Sequence, residues 1–143
     1  MRDPHDLERF VAAQEPVFAT ALAELKAGRK IGHWMWFVFP QIAGLGLSPM
    51  ARRYAISSLE EARAYLAHPV LGPRLRKCVE AVLAHEHLTA VQIMGSPDDI
   101  KLRSSLTLFA RADRSAGLFA EALRKYFAGD TDPLTSSRLA DNG

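Results

Sequence analysis

Three side chains in the stretch 95–109 could do chemistry together: Asp98, Lys101 and Ser105, spaced i, i+3 and i+7. At ~100° per residue an α-helix brings them onto one arc with Leu102, Leu106, Leu108 and Phe109, so polar groups fall inside an apolar face. A lysine there needs a partner, because burying an unpaired ammonium is costly, and Asp98 stands one turn back. Two readings fit the pattern. One is an ion pair at the rim of the core beside a serine bonded back to its own helix; the other is the floor of a polar pocket. A Lys101–Ser105 base–nucleophile dyad would also touch at i, i+4, but the sequence offers no oxyanion hole to accompany it.

The second cluster is His33-Trp34-Met35-Trp36-Phe37-Val38-Phe39-Pro40-Gln41, which holds both tryptophans and two of the seven phenylalanines. Indole faces stack on planar rings, and Lys26, Arg29 and Lys30 upstream, with His33 and Gln41 at the ends, frame the run with groups that suit an anion. The same run also serves as a plug for the core. As a helix it points Trp34, Trp36 and Phe39 three ways, leaving no face for water; as a strand it lacks a second alternating run to pair with. A short buried helix ended by Pro40 is expected. Arg53, on a short segment after Pro49, is a further candidate for holding an anion. His85 and His87 flank Glu86, but i, i+2 side chains diverge by ~200° on a helix, whereas metal-binding helices use i, i+4. They read as a solvated helix end, and no metal or cofactor is expected. Phosphate-cradling glycine loops, hydrolase elbows and CxxC pairs do not occur.

Helices must position these residues, and the chain announces them with one device. Asp3-Pro4, Glu15-Pro16, Ser48-Pro49, His68-Pro69, Ser96-Pro97 and Asp132-Pro133 each put a proline where a first helical position would fall, four of them after Asp or Ser. The first helix is expected over 6–14, with Leu7, Phe10 and Val11 inward. A second follows Pro16, lined by Val17, Phe18, Ala21, Leu22 and Leu25 and ended by Gly28. Pro49 opens a short helix, Ser58 with Glu61 reads as a capping box, and Pro69 opens a longer helix with Leu71, Leu75, Cys78, Val79, Val82 and Leu83 inward. Thr89 caps a short turn. Ser96, Pro97, Asp98 and Asp99 together mark the start of the helix that carries Lys101. A last amphipathic helix is expected over 116–128, Pro133 opens a fragment, and the tail from Ser136 reads as frayed.

Composition sets the class. At 143 residues, 48% hydrophobic and 24% charged, the chain reads as one soluble helical domain over 1–143, with a core over about 6–134 and a loose end over 135–143. A net charge of +2 without a run of like charges argues against duplex nucleic acid as a partner. The polar N-terminus and the lack of a ~20-residue apolar run argue against a signal peptide or membrane span. Cys78 is the only cysteine, which excludes an internal disulfide and points to a reducing, cytoplasmic home. The fold expected is all-α: a compact multihelical array of short, Pro-capped helices around a buried aromatic segment.

The phrases 33–41, Arg53-Tyr54-Ala55-Ile56, 64–72 and Lys101-Leu102-Arg103-Ser104-Ser105-Leu106-Thr107-Leu108-Phe109 closely resemble the bacterial family called domain of unknown function 1810. The resemblance runs from about Asp6 to Leu134. It implies an all-helical fold, in agreement with the caps, and carries no established reaction. The label calpastatin, often given to members, names a disordered inhibitor and does not suit a composition built to pack. Three functions follow as expectations. A pocket between the 33–41 run and the 98–109 helix binds a small polar or nucleotide-like ligand through His33, Trp34, Trp36, Gln41, Arg53, Asp98, Lys101 and Ser105. Alternatively the same pocket hydrolyses an N-glycosidic bond of a nucleotide derivative, or the helices present a surface to another protein. Convergence of His33, Trp36 and Lys101 in one cleft separates the first two from the third.

Overall fold

The structure, a computed structural model, describes residues 3–113, 115 and 117–142. Ten helices are found among them: α1 (Glu8–Gln14), α2 (Phe18–Ala27), α3 (Met35–Val38), α4 (Pro49–Arg53), α5 (Leu59–Ala67), α6 (Leu71–Leu83), α7 (Ala90–Met94), α8 (Asp98–Ala112), α9 (Leu118–Phe127) and α10 (Pro133–Asn142). The protein is all-α, as the caps indicate. An isolated parallel bridge between Ile42 and Ile56 is the extended pairing among these residues, and it fixes the backbone just after the aromatic run. Among the described residues no helix is long and apolar enough to cross a membrane.

The longest helix, α8, is the axis of the packing and touches α5, α7, α9 and α10. Its Leu102, Leu106, Leu108 and Phe109 are buried, and Phe109 lies between the rings of Tyr65 and Phe119. Helix α6 packs on α2, α5 and α9 through the predicted stripe, with Leu71, Leu75, Cys78, Val79 and Val82 all buried and Leu83 partly so. Burial pushes the Cys78 thiol up to about 12, partly opposed by the Arg74 charge, so it acts as a small hydrophobe. The aromatic run is the short helix α3, followed by Phe39 and Pro40, with Trp34, Met35, Phe37, Val38 and Phe39 buried. One polar side chain fastens it from inside: Gln14 Nε2 donates to the Phe37 carbonyl (2.6 Å) and to the Tyr65 hydroxyl (3.0 Å).

The proline device is only partly what the sequence suggests. Pro49 and Pro133 open α4 and α10, behind caps from Ser48 and Asp132. Pro4, Pro16 and Pro69 instead lie in turns ahead of α1, α2 and α6. The Asp3 carboxylate still reaches forward to accept from the Leu7 and Glu8 amides, so α1 starts at Glu8 rather than Asp6. Ser58 caps α5 as expected, but Glu61 turns to Ser57 and Arg9, so half of the capping box forms. At α8 the peptide before Pro97 is cis, and Pro97 is the cap residue with no side-chain cap from Ser96. Backbone carbonyls replace the serine there: Gly95 accepts from Asp99, and Pro97 from Ile100 and Lys101. Helix α9 begins at Leu118; Ala116, its expected first residue, lies outside the described residues.

The largest departure is at the C-terminal end. Where a frayed tail is expected from 135, α10 continues to Asn142 and buries Thr135 and Leu139 against the core. Its start is over-fastened. Asp132 accepts from both the amide (3.0 Å) and the hydroxyl (2.6 Å) of Thr135, its own amide donates to Thr107, and Arg103 pairs with it at 3.5 Å. Arg138 then lies over Gly44, whose φ of +98° and lack of a side chain let the guanidinium approach.

Candidate functional site

The site is built from a loop, a short helix and the start of a long one. Gly28 ends α2 in the left-handed conformation, and the chain turns back through residues 29–34. Glu24 holds that loop: one carboxylate oxygen accepts from the Ile31 amide (2.8 Å), the Gly32 amide (2.9 Å) and the Trp34 indole (3.0 Å). Burial pushes the Glu24 carboxyl upward, yet the bonds from Gly32, Ile31 and Trp34, with the Lys30 charge, together hold it below the ordinary range. Lys30 ties the loop to the rest. Its amide donates to the Ile93 carbonyl of α7, and its ammonium donates to the Gly32 carbonyl (2.6 Å) and pairs with Asp98 of α8 at 2.8 Å.

Between this loop, α3 and the first turn of α8 lies a cleft of about 290 Å³, walled by Lys30, His33, Trp36, Pro97, Asp98 and Lys101. His33, Trp36 and Lys101 therefore meet in one place. The two lysines are held very differently. The Lys30 side chain is 7% exposed and doubly engaged, and its ammonium also lies 4.9 Å from the Trp34 ring. The Lys101 side chain is 32% exposed, 3.7 Å from Asp98 and 5.8 Å from the centre of the Trp36 ring. That last distance is near the ~6 Å limit of useful cation–π attraction. Lys30 is a fixed structural cation, whereas Lys101 is more exposed and makes the longer contact with Asp98. Two ammonium groups share one carboxylate, so the cleft is net positive.

The remaining candidates divide. Trp34 is 2% exposed and turned inward, so it braces the loop and does not face the cleft. Gln41 lines an adjoining cleft, which shares Pro97 and Lys101 with the first, and its carbonyl accepts from Ile56. Arg53 lines neither cleft. It is exposed at the end of α4, with its carbonyl accepting from Arg9 and its guanidinium over Tyr54. Ser105 also lines neither; it is fully buried, and its hydroxyl finds no hydrogen-bond partner among the described residues. The back-bonded residues are Ser104, to the Ile100 carbonyl, and Thr107, to the Arg103 carbonyl. A dyad with Lys101 is thus not formed, because Lys101 faces the cleft and Ser105 the core. Nor are His85 and His87 a simple solvated pair: the His85 ring bonds the Leu25 carbonyl at 2.7 Å, while His87 stands in water.

Glu24 is the site residue that the sequence does not reveal, and Lys30, named among the upstream cations, is not connected there to Asp98. Glu24 is half-buried at the edge of the inner face of α2, and nothing in its spacing connects it to Trp34. Lys30 looked like one of several turn cations, and its partner Asp98 lies far along the chain.

Comparison with known proteins agrees with this architecture. The chain is similar to a solved structure, the conserved hypothetical protein Rv1873 from Mycobacterium tuberculosis, at 56% identity and a TM-score of 0.95, over 96% of this chain and 99% of that one. No curated protein matches it. The model of the family described as Protein of unknown function (DUF1810) matches residues 4–139, and the chain belongs to that family.

Proposed function

We propose that the cleft between the 33–41 run and the start of α8 binds a small anion carrying a planar ring, a nucleotide-like ligand. The observation that carries this is the contrast between the two lysines. Lys30 already neutralises Asp98 at 2.8 Å, so Lys101 can leave its 3.7 Å contact without stranding a partly buried carboxylate. A phosphate entering beside Lys101 exchanges one anion for another around the same ammonium. The partly exposed Trp36 indole supplies the stacking face, and His33 a second group for the anion. Asp98 supports binding rather than glycosidic hydrolysis. It is the one carboxylate among the residues lining the cleft, so the pair of carboxyl groups that glycosidic hydrolysis ordinarily uses is not assembled there. We further infer a reducing, cytoplasmic home in a bacterium, which a single cysteine with no partner for an internal disulfide supports.

The test is tryptophan fluorescence during titration with AMP, NAD, ADP-ribose and sugar phosphates. A saturable change is expected for at least one of them, with affinity weakened at least tenfold in Lys101→Ala and, read by calorimetry because the reporter indole is removed, in Trp36→Ala, while far-UV circular dichroism stays unchanged. Silence across the panel at millimolar concentrations would make the cleft a structural joint. Release of free base from a bound compound would move the protein to the hydrolases.

A further inference from the structure

The charged cleft does not end at Lys101. Beyond it lies the second cleft, about 240 Å³, which shares Pro97 and Lys101 with the first. Its character is different. The Ser104 hydroxyl already donates to Ile100, and the Asp132 carboxylate is committed to Thr135 and Arg103. What it offers a guest is Leu45, Pro97, Ile100 and Leu134, together with the Gln41 amide. Ile100 and Leu134 are 55% and 65% exposed. Single exposed apolar residues are ordinary on protein surfaces. Here, however, three of the five large exposed hydrophobic residues described, Ile31, Ile100 and Leu134, line these two clefts. A fourth, Leu47, follows directly on Gly46 of the second cleft.

Size points the same way. Ligand pockets usually run from ~300 to ~1,000 Å³. The first cleft, at 290 Å³, stands at the lower edge of that range and the second, at 240 Å³, below it, whereas the two joined at Pro97 and Lys101 lie well within it. The order of features around Lys101 then fixes the order of groups on the ligand.

We propose that the ligand is a three-part molecule: a planar ring over Trp36, an anion at Lys101, and an apolar arm running past Lys101 between Ile100 and Leu134. Chemically this is a nucleotide-like phosphate esterified on the side away from its base, rather than a free nucleotide. The proposal rests on the reading of the first cleft as a ring-and-anion site, and it adds the arm. The adjoining cleft belongs to the site because Lys101 is common to both, and its apolar wall suits a hydrocarbon that the first cleft has no room to take.

The probes are AMP and its hexyl phosphodiester, compared by calorimetry on the wild type and on the double variant Ile100→Ser/Leu134→Ser. Both side chains are more than half exposed, so the variant is expected to fold, which its melting curve checks. The ester should bind at least tenfold more tightly than AMP to the wild type. In the variant that advantage should disappear while AMP affinity stays within about twofold. AMP binding with no gain from the hexyl arm, or a gain that survives the double substitution, overturns the arm and leaves the ring-and-anion site standing. Failure of both compounds to bind overturns both readings. A wild type that sediments as a dimer, with the variant a monomer, assigns the apolar cleft to self-association and also overturns the arm.

Discussion

Glu24 carries out a task usually given to a metal or a disulfide: it pins a glycine-bracketed loop by accepting two backbone amides and an indole on one oxygen. A single hydrogen bond to a charged acceptor contributes about 1.5–3 kcal/mol when buried and less where solvent reaches it. Glu24→Gln keeps the shape and loses the charge, and should lower stability at pH 7 by about 1–2 kcal/mol in urea unfolding. The pH dependence has a definite sign. The carboxyl is held below its ordinary value of 4.5 in the folded state, so its contribution is complete above that pH and disappears as pH falls through the lower folded value. The gap between wild type and Glu24→Gln should therefore close in acid, below about pH 4.5; a gap constant down to pH 3 would deny Glu24 this role. At the same scale lies the clearest limit of the sequence. Asp98 and Lys101 are recognisable as a pair because they share a helix turn, but the stronger partner, Lys30, comes from another element and no local spacing reveals it.

At the scale of elements, short-range chemistry was the readable part. Ser48, Ser58 and Thr89 cap α4, α5 and α7, and Gly28 ends α2, each for reasons confined to a few neighbouring residues. The aromatic run is legible as a buried helix because a segment with no polar face has nowhere else to go. What could not be read depended on contacts between distant parts. Helix α10 reads in sequence as a polar tail, since Thr135 and Leu139 are the buried residues among its described side chains, and its order comes from Asp132, Arg103 and Thr107. Ser105 was placed correctly on the arc, but the arc's pocket end and core end could not be told apart without knowing what covers each. Asp132→Ala should cost about 1–2 kcal/mol through loss of the cap. Amide exchange in residues 133–142 should rise selectively, and Asp132→Asn should recover most of the protection. Unchanged exchange in the alanine variant would mean that burial of Leu139 alone orders the helix.

The whole molecule is held by one polar knot inside an aromatic chain. Rings run from Tyr54 through Phe10, Tyr65 and Phe109 to Phe119, with centroids 5.2–5.9 Å apart. Gln14 stands beside that chain and joins α1 to Phe37 of α3 and Tyr65 of α5, with Arg74 of α6 3.4 Å from its oxygen. Because four elements meet there, its loss should act on the entire unfolding transition rather than on one helix. Gln14→Leu strands the Phe37 carbonyl and should cost roughly 2–3 kcal/mol, lowering the melting temperature by roughly 5–10 °C in one calorimetric transition. A split transition would show that α3 melts apart from the rest.

Cys78 turns that same cooperativity into a clock. It lies at the centre of α6 with no exposed surface, and its thiol is displaced far toward the protonated, unreactive form. In a chain with one thiol, every molecule alkylated on that thiol is one that has opened to the middle. The rate at which an alkylating reagent consumes the protein therefore counts excursions from the native state, one molecule at a time.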